Sequence, residues 1–265
     1  MSDDGMARLR SIGVVRRARG YRLYTNDGRR LLDLFQDGGW AILGHGNSEA
    51  VREARNAAER GLTTRLASPY HDRLVKAVRV LLPDAAVVRV YRNADRAMAI
   101  LSEWLGRPVT TADVADPAMG QQGKIALWRP FLPASHAARI LLPVLPAAGD
   151  SPPQVVVVDA DDAPPSDLVA PYRLAALSRA TYDLARASAP EPLDLPGFTP
   201  SGPYLIPTTH GAAYGRWFEF FLSEGVLLSP WDTVPSIIPA ERSPGETALL
   251  RRVAAYAVQS EAHHG

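Results

Sequence analysis

Cysteine is absent from the 265 residues. Its absence excludes disulfides, thiolate nucleophiles and cysteine-held metal sites together. Lysine is almost absent as well: of 29 basic residues, Lys76 and Lys124 are the lysines and the rest are arginine. Chemistry through a lysine amine therefore has two places to happen. Net charge is missing too, since 28 acidic residues leave a formal +1. No global field draws such a chain to nucleic acid or to an anionic membrane, and neither is expected as a partner. The opening Met1-Ser2-Asp3-Asp4-Gly5 is polar, no apolar stretch follows it, and nothing later reaches the length of a membrane span. A cytoplasmic protein is the expectation.

What the chain does have is 46% hydrophobic and 22% charged residues, enough for a real core in one or two domains. Most of its 23 prolines follow position 107, which favours short elements over long helices there. Asn26-Asp27-Gly28 lies between two short apolar runs over 23–34 and predicts a β-hairpin, because Asp-Gly accepts the positive φ of a tight turn. A glycine-punctuated loop, Gly38-Gly39-Trp40 to Gly44-His45-Gly46, leads to a helix capped by Asn47 or Ser48, with Ala50, Val51, Ala54, Ala57 and Ala58 as its apolar stripe. Helices are also predicted over 70–82, 96–105, 171–187, 214–222 and 246–259, the last opened by Ser243-Pro244. Strands are predicted over 86–91, 124–128, 138–144, 154–159 and 204–207, with extended segments over 226–230 and 236–239. The valine run of 154–159 suits an interior strand covered on both faces. The proline- and glycine-rich stretch 188–203 reads as a domain boundary. The fold expected is α/β, with a smaller α+β domain built from both termini. Its parts are 1–45 and 191–265 for the small domain and 46–190 for the large one.

Several words of this sequence, in their order, resemble class III aminotransferases, the fold type I enzymes that use pyridoxal phosphate. The hairpin followed by Leu43-Gly44-His45-Gly46-Asn47 is similar to the opening of that family. Leu81-Leu82-Pro83, then Val88 to Asn93, is similar to its phosphate-loop strand, and Leu105-Gly106-Arg107-Pro108 to the segment after it. The strand ending at Asp159 resembles the one whose aspartate pairs with the pyridine nitrogen. Phe220 to Pro230 resembles a small-domain motif. The resemblance implies a major domain with a central, mostly parallel sheet, a homodimer, and Asn93 and Asp159 as vestiges of a cofactor site.

The departures concern chemistry. Asn93-Ala94-Asp95-Arg96-Ala97 lacks the family's serine and glycine, and Asp95 brings a negative charge to where a phosphate sits on a helix N-terminus. The aromatic-histidine-glycine segment has its nearest echo in Trp128-Arg129-Pro130. No lysine follows Asp159, and Arg173 or Arg179 cannot form an imine. The chain is also shorter than family members. It therefore resembles a shortened, degenerate relative lacking the Schiff-base lysine, with no catalytic residue, no metal and no cofactor expected, serving as a dimeric binding or interaction scaffold for an unidentified ligand or partner. Two alternatives stay open. One is an active pyridoxal-phosphate aminotransferase or aminomutase with its lysine relocated to Lys124 or Lys76. The other is a metal-assisted enzyme using Asp159, Asp161 and Asp162.

Other candidates have ordinary explanations. His45 between two glycines is expected to shape its loop, and His210 after Thr208-Thr209 has no evident third member of a triad. Tyr214, Trp217, Phe218 and Phe221 share a helix face and read as core, while Phe220 points elsewhere, towards a second subunit. His263 and His264 close the chain in a frayed tail. Trp40 is expected to anchor the dimer, and the space beside Asp159 to be filled by side chains.

Overall fold

The computed structural model of the chain describes residues 3–149 and 151–262; His263 and His264 lie outside the described residues. The contacts divide it into two units, one made of Met1–Gly46 with Ser188–Gly265 and the other of Asn47–Ala187.

The terminal unit opens with helix α1 (Asp3–Ser11) and strands β1 (Val15–Arg19), β2 (Arg22–Thr25) and β3 (Arg30–Asp33). The expected hairpin forms between β2 and β3, with Arg22 opposite Leu32 and Tyr24 opposite Arg30. A 3-10 turn, Gln36–Gly39, then starts the glycine-rich loop. The loop returns to the hairpin through the bridge of Gly20 to His45. Gly44 makes that return possible: its φ is +82°, and a Cβ there would stand 3.0 Å from the Cα of Gly20.

The central unit follows in the order α2 (Ser48–Glu59), α3 (Pro69–Leu81), β4 (Val87–Tyr91), α4 (Ala94–Trp104), β5 (Val114–Ala115), β6 (Ile125–Trp128), β7 (Ile140–Pro143), β8 (Gln154–Val158) and α5 (Pro171–Arg186). Asn47 caps α2 by accepting the amides of Glu49 and Ala50. Its expected stripe is only partly buried: Ala57 is covered, but Val51 is half exposed. Leu174, Leu177, Ala180 and Leu184 recur at helical spacing and are buried in α5, which packs on α2 and α3. The five strands run in the order β4-β8-β7-β6-β5. β5, β6 and β7 pair in parallel, whereas β8 is antiparallel to both β7 and β4. Four strands thus point one way and β8 points back between them.

The chain re-enters the terminal unit with β9 (Phe198–Ser201), β10 (Tyr204–Pro207), α6 (Gly211–Ser223), β11 (Val226–Leu227), β12 (Ser236–Ile237) and α7 (Pro244–Ala262). β11 joins β3 in parallel, so the sheet β1-β2-β3-β11 is sewn from both ends of the chain. The core beneath it holds Leu31, Leu34, Phe198, Trp217, Phe218, Phe221, Leu250 and Val253. Each large side chain buried there stabilises by roughly 1.5–3 kcal/mol. Phe220 does not face away from its own chain as expected: it stacks on Tyr256 of α7, ring centroids 5.0 Å apart. Among the described residues no helix is long and apolar enough to cross a membrane.

Candidate functional site

Strand direction decides where a site can lie. In open α/β sheets ligands bind outside the carboxyl ends of the parallel strands. Here that edge carries Arg92 and Asn93 after β4, Asp116 after β5, Arg129 after β6 and Val144 after β7. Asp159 is not among them. Because β8 runs backwards, its last residue Val158 pairs with Val87 and Ile140, the first residues of β4 and β7, and the amide of Asp159 bonds the Arg139 carbonyl. Asp159 is an exposed acid at the opposite edge from Asn93, and the two do not form one site. The valine run reveals an interior strand but not its direction, which is why the expectation failed. Among the described residues no group of three or more metal-ligating side chains gathers, around the Asp159 trio or elsewhere.

Asn93 sits at the carboxyl edge but serves the backbone, its Oδ1 accepting the Arg96 amide at 2.9 Å to cap α4. Beside that cap a cavity of about 560 Å³ opens, lined by Arg65, Arg92, Arg96, Asp167 and Leu168. Segment 163–168 builds its wall by zipping along β4. Arg89 and Tyr91 donate to the carbonyls of Ala163 and Pro164, Ser166 Oγ accepts the Val90 amide, and the Asp167 amide donates to the Val90 carbonyl. Asp167 then takes the Arg92 amide at 3.2 Å and Arg96 Nε at 3.4 Å. Among the described residues the side chains of Arg65 and Arg92 have no hydrogen-bond or ion-pair partner. Asp95, expected to face this space, is exposed and outside the lining, and Arg96 turns in instead.

At the ends of β5 and β6 the edge is closed. Arg129, 4% exposed, meets Asp116 in a two-pronged pair, Nε to Oδ1 at 2.8 Å and Nη2 to Oδ2 at 2.6 Å. Asp116 also accepts the Ala118 amide, capping the turn Pro117–Met119. Neither lysine reaches this edge through its element. Lys124 precedes β6, its carbonyl taking the amides of Arg139 and Ile140 at the far edge, and Lys76 is exposed on α3.

The terminal unit holds a second cluster. Asp33, 1% exposed, accepts the amides of Phe35 and Gln36 through Oδ1 and meets His45 Nε2 at 2.7 Å through Oδ2. Asp33, with a smaller contribution from Asp37, raises the His45 pKa above its ordinary 6.5 against the opposing effect of burial. Gln36 and Asp37 both adopt positive φ, 47° and 51°, so this pair anchors a strained turn. His210 gains a neighbour that the sequence did not reveal, Asp232, at 3.6 Å. That carboxylate also accepts the Gly211 amide, His210 is 64% exposed, and the Thr208 hydroxyl donates to the Gly197 carbonyl rather than to His210.

No family model matches the chain. An uncharacterized protein of Treponema pallidum (strain Nichols) is 29% identical over 287 residues, covering 87% of this chain and 90% of its own. A glutamate-1-semialdehyde 2,1-aminomutase of Nitratidesulfovibrio vulgaris (strain DP4) is 29% identical over 175 residues, 62% of this chain and 37% of the enzyme. Among solved structures, an omega-transaminase from Sphaerobacter thermophilus superposes with a TM-score of 0.65 at 12% identity, covering 93% of this chain and 90% of the other. The chain has the fold type I aminotransferase fold. What that likeness carries is architecture, and the site rests on the residues above.

Proposed function

We propose that this chain is a degenerate aminotransferase-fold protein that does no pyridoxal-phosphate catalysis and acts as a homodimeric binding or interaction scaffold. The observation that carries this reading is the position of its amines. An imine to a cofactor aldehyde needs a lysine beside the carboxyl ends of the parallel strands, and those strands are followed by Arg92, Asp116, Arg129 and Val144. The residues present do not fit the cofactor that the resemblance implies. Arg129 cannot replace a lysine, because its guanidinium does not lose a proton near neutral pH, and Asp116 holds it in place. The Asp33–His45 pair fits the same reading, since its groups are spent on holding a turn.

The test is reduction with borohydride after adding pyridoxal phosphate. Internal-aldimine absorbance is not expected at equimolar cofactor, and a stoichiometric adduct at Lys124 or Lys76 that carries this absorbance before reduction overturns the reading in favour of a relocated lysine. The dimer is tested separately by light scattering. Trp40 is half-buried within the chain and keeps surface for a partner copy. A monomer mass at micromolar concentration removes the dimer from the proposal.

A further inference from the structure

Three uncompensated features meet in the turn Gln36–Gly39 of the terminal unit. Gln36, Asp37 and Gly38 follow one another in left-handed backbone, φ 47°, 51° and 66°, a conformation that the glycine alone adopts without strain. Gln36 is wholly buried; its Nε2 donates to the Ile237 carbonyl, but its Oε1 has no hydrogen-bond partner among the described residues. Asp33, before the turn, and Asp37, within it, lie close enough to repel each other.

Asp33 holds this turn shut. Its Oδ1 accepts the amides of Phe35 and Gln36, and its Oδ2 meets His45 Nε2 at 2.7 Å. His45 is a fixed post, because its amide donates to the Gly20 carbonyl at 2.6 Å and its carbonyl accepts the Gly20 amide at 3.1 Å. A protonated His45 sets one positive charge against both carboxylates, and both raise its pKa above 6.5. A neutral His45 can still donate to Asp33. It leaves a carboxylate that is 1% exposed without an opposite charge and in repulsion with Asp37. The other groups packed on the loop do not change charge in this range. Tyr21 of β2 donates to the Ile42 carbonyl, and burial and Glu241 push its phenol up to about 12; β12 gives Gln36 only the Ile237 carbonyl.

We propose that the Asp33–His45 pair is a pH-sensitive latch on this turn: loss of the His45 proton lets residues 36–40 open and brings Trp40, half-buried while the turn is shut, into water. Trp40 is also the side chain proposed to anchor a partner copy, so pH sets how much apolar surface that copy meets. This consequence rests on the dimer reading, whereas the latch needs only residues of the terminal unit.

Acrylamide quenching of tryptophan emission in the full chain from pH 5.5 to 9.5 tests it, with Trp40→Phe as the reference that isolates the Trp40 signal. That signal should shift to the red and gain quenching in one transition above pH 6.5, with far-UV circular dichroism unchanged. His45→Gln keeps a donor for Asp33 but carries no charge, so it should report the open turn at every pH. Gln36→Gly relieves the left-handed strain and removes the orphan oxygen, and should abolish the transition while the His45 ring still titrates by NMR. Asp37→Asn removes the repulsion and one charge that favours the imidazolium, so its transition should be smaller and lie at lower pH. A flat Trp40 signal in the parent overturns the latch. So does a transition that survives in His45→Gln, or one whose midpoint moves with protein concentration and so reports dissociation of a dimer. Light scattering separates the two readings: a dimer with a flat Trp40 signal loses the latch and keeps the scaffold, and a monomer with the transition loses the dimer and keeps the latch.

Discussion

The two units are alike where ionic groups are buried and differ at one exposed hollow. In the terminal unit, buried or half-buried ionic groups are matched: Asp33 meets His45, and Glu246 meets Arg22 and Arg30 at 2.6 and 2.5 Å. In the central unit Asp116 and Arg129 are matched as tightly, and Arg179 meets Asp183 and Arg107 meets Asp113 at 2.9 Å, while Arg65 and Arg92 are exposed at a cavity whose one carboxylate, Asp167, is taken by Arg96. In the terminal unit, the residues that spell the family words of the sequence fix turns and caps. Gly44, His45 and Asp33 hold one loop, and Gly225 ends α6 with φ +84°. A scaffold can keep such residues whatever happens to its chemistry, because each answers to a local backbone need. The central unit is where the chemistry of the resembling family would lie, and there the residues differ.

The strongest way to break the comparison is to unpair the central unit's buried ions. Asp116→Ala leaves the Arg129 guanidinium buried without its carboxylate and removes the cap of the turn at Pro117. A loss of about 3–5 kcal/mol is expected, as for breaking one side of a buried pair. Urea unfolding followed by tryptophan fluorescence measures it, with Trp128 next to the site. Asp116→Ala combined with Arg129→Met should recover much of the loss, since no bare charge remains.

The corresponding change in the terminal unit should cost less. Glu246 closes a capping box with Ser243 at the start of α7 and takes Arg22 and Arg30 from the hairpin. Glu246→Ala should lose about 2–3 kcal/mol, because its partners are exposed enough to regain water. Burial works to raise the Glu246 pKa, but Arg22, the Ser243 amide and Arg30 together hold it below its ordinary 4.5. The folded state thus prefers the charged form. Its contribution is present above about pH 4.5 and disappears as the pH falls through the lowered value. Acid titration of the parent and of Glu246→Gln should converge there, and parallel curves down to low pH would remove Glu246 from the account.

How far these features were legible depends on the range of the interaction behind them. Asp27-Gly28, Asn47 and Ser243-Pro244 act within four residues, and their turn and caps stand where the sequence puts them. Helix α1 has little local signal because its inward face carries one leucine, Leu9, beside Gly5 under the Trp231 ring and Arg8 against Tyr214. β1, Val-Arg-Arg-Ala-Arg, is an exposed edge strand without alternation, and β9 lies inside the proline-rich stretch taken for a boundary. The site was harder still. Arg65 and Asp167 are far apart in the chain, and only the zipper of 163–168 along β4 brings them to one hollow. The direction of β8, which removes Asp159 from the carboxyl edge, is a property of its pairing with β4 and β7 and has no local signal.

The His45–Asp33 pair gives a smaller effect with the opposite sign in pH. The charged groups that raise the His45 pKa are Asp33 and Asp37, and both favour the imidazolium. A raised folded pKa means stability that is fully present below the unfolded value of about 6.5 and is lost as the pH rises through the folded value. Melting temperature should therefore decline as the pH rises above neutrality. His45→Gln should flatten that decline, and a variant that keeps the parent's pH dependence would show that another group titrates.

The smallest expected effect is at Asp159, and it separates the two edges of the central sheet. If the carboxyl edge is the binding edge, Asp159 has no part in it, because β8 carries this residue to the other side and leaves it exposed. An exposed acid at a strand end is stabilised by water as well as by any neighbour, so Asp159→Ala should shift stability by about 1 kcal/mol or less. The same variant should keep the parent's mass in light scattering. Asp116→Ala, at the opposite edge, should cost several times as much, because its acid is buried and paired. An Asp159→Ala variant that loses as much stability as Asp116→Ala would invert the assignment of the two edges, and with it the argument from strand direction.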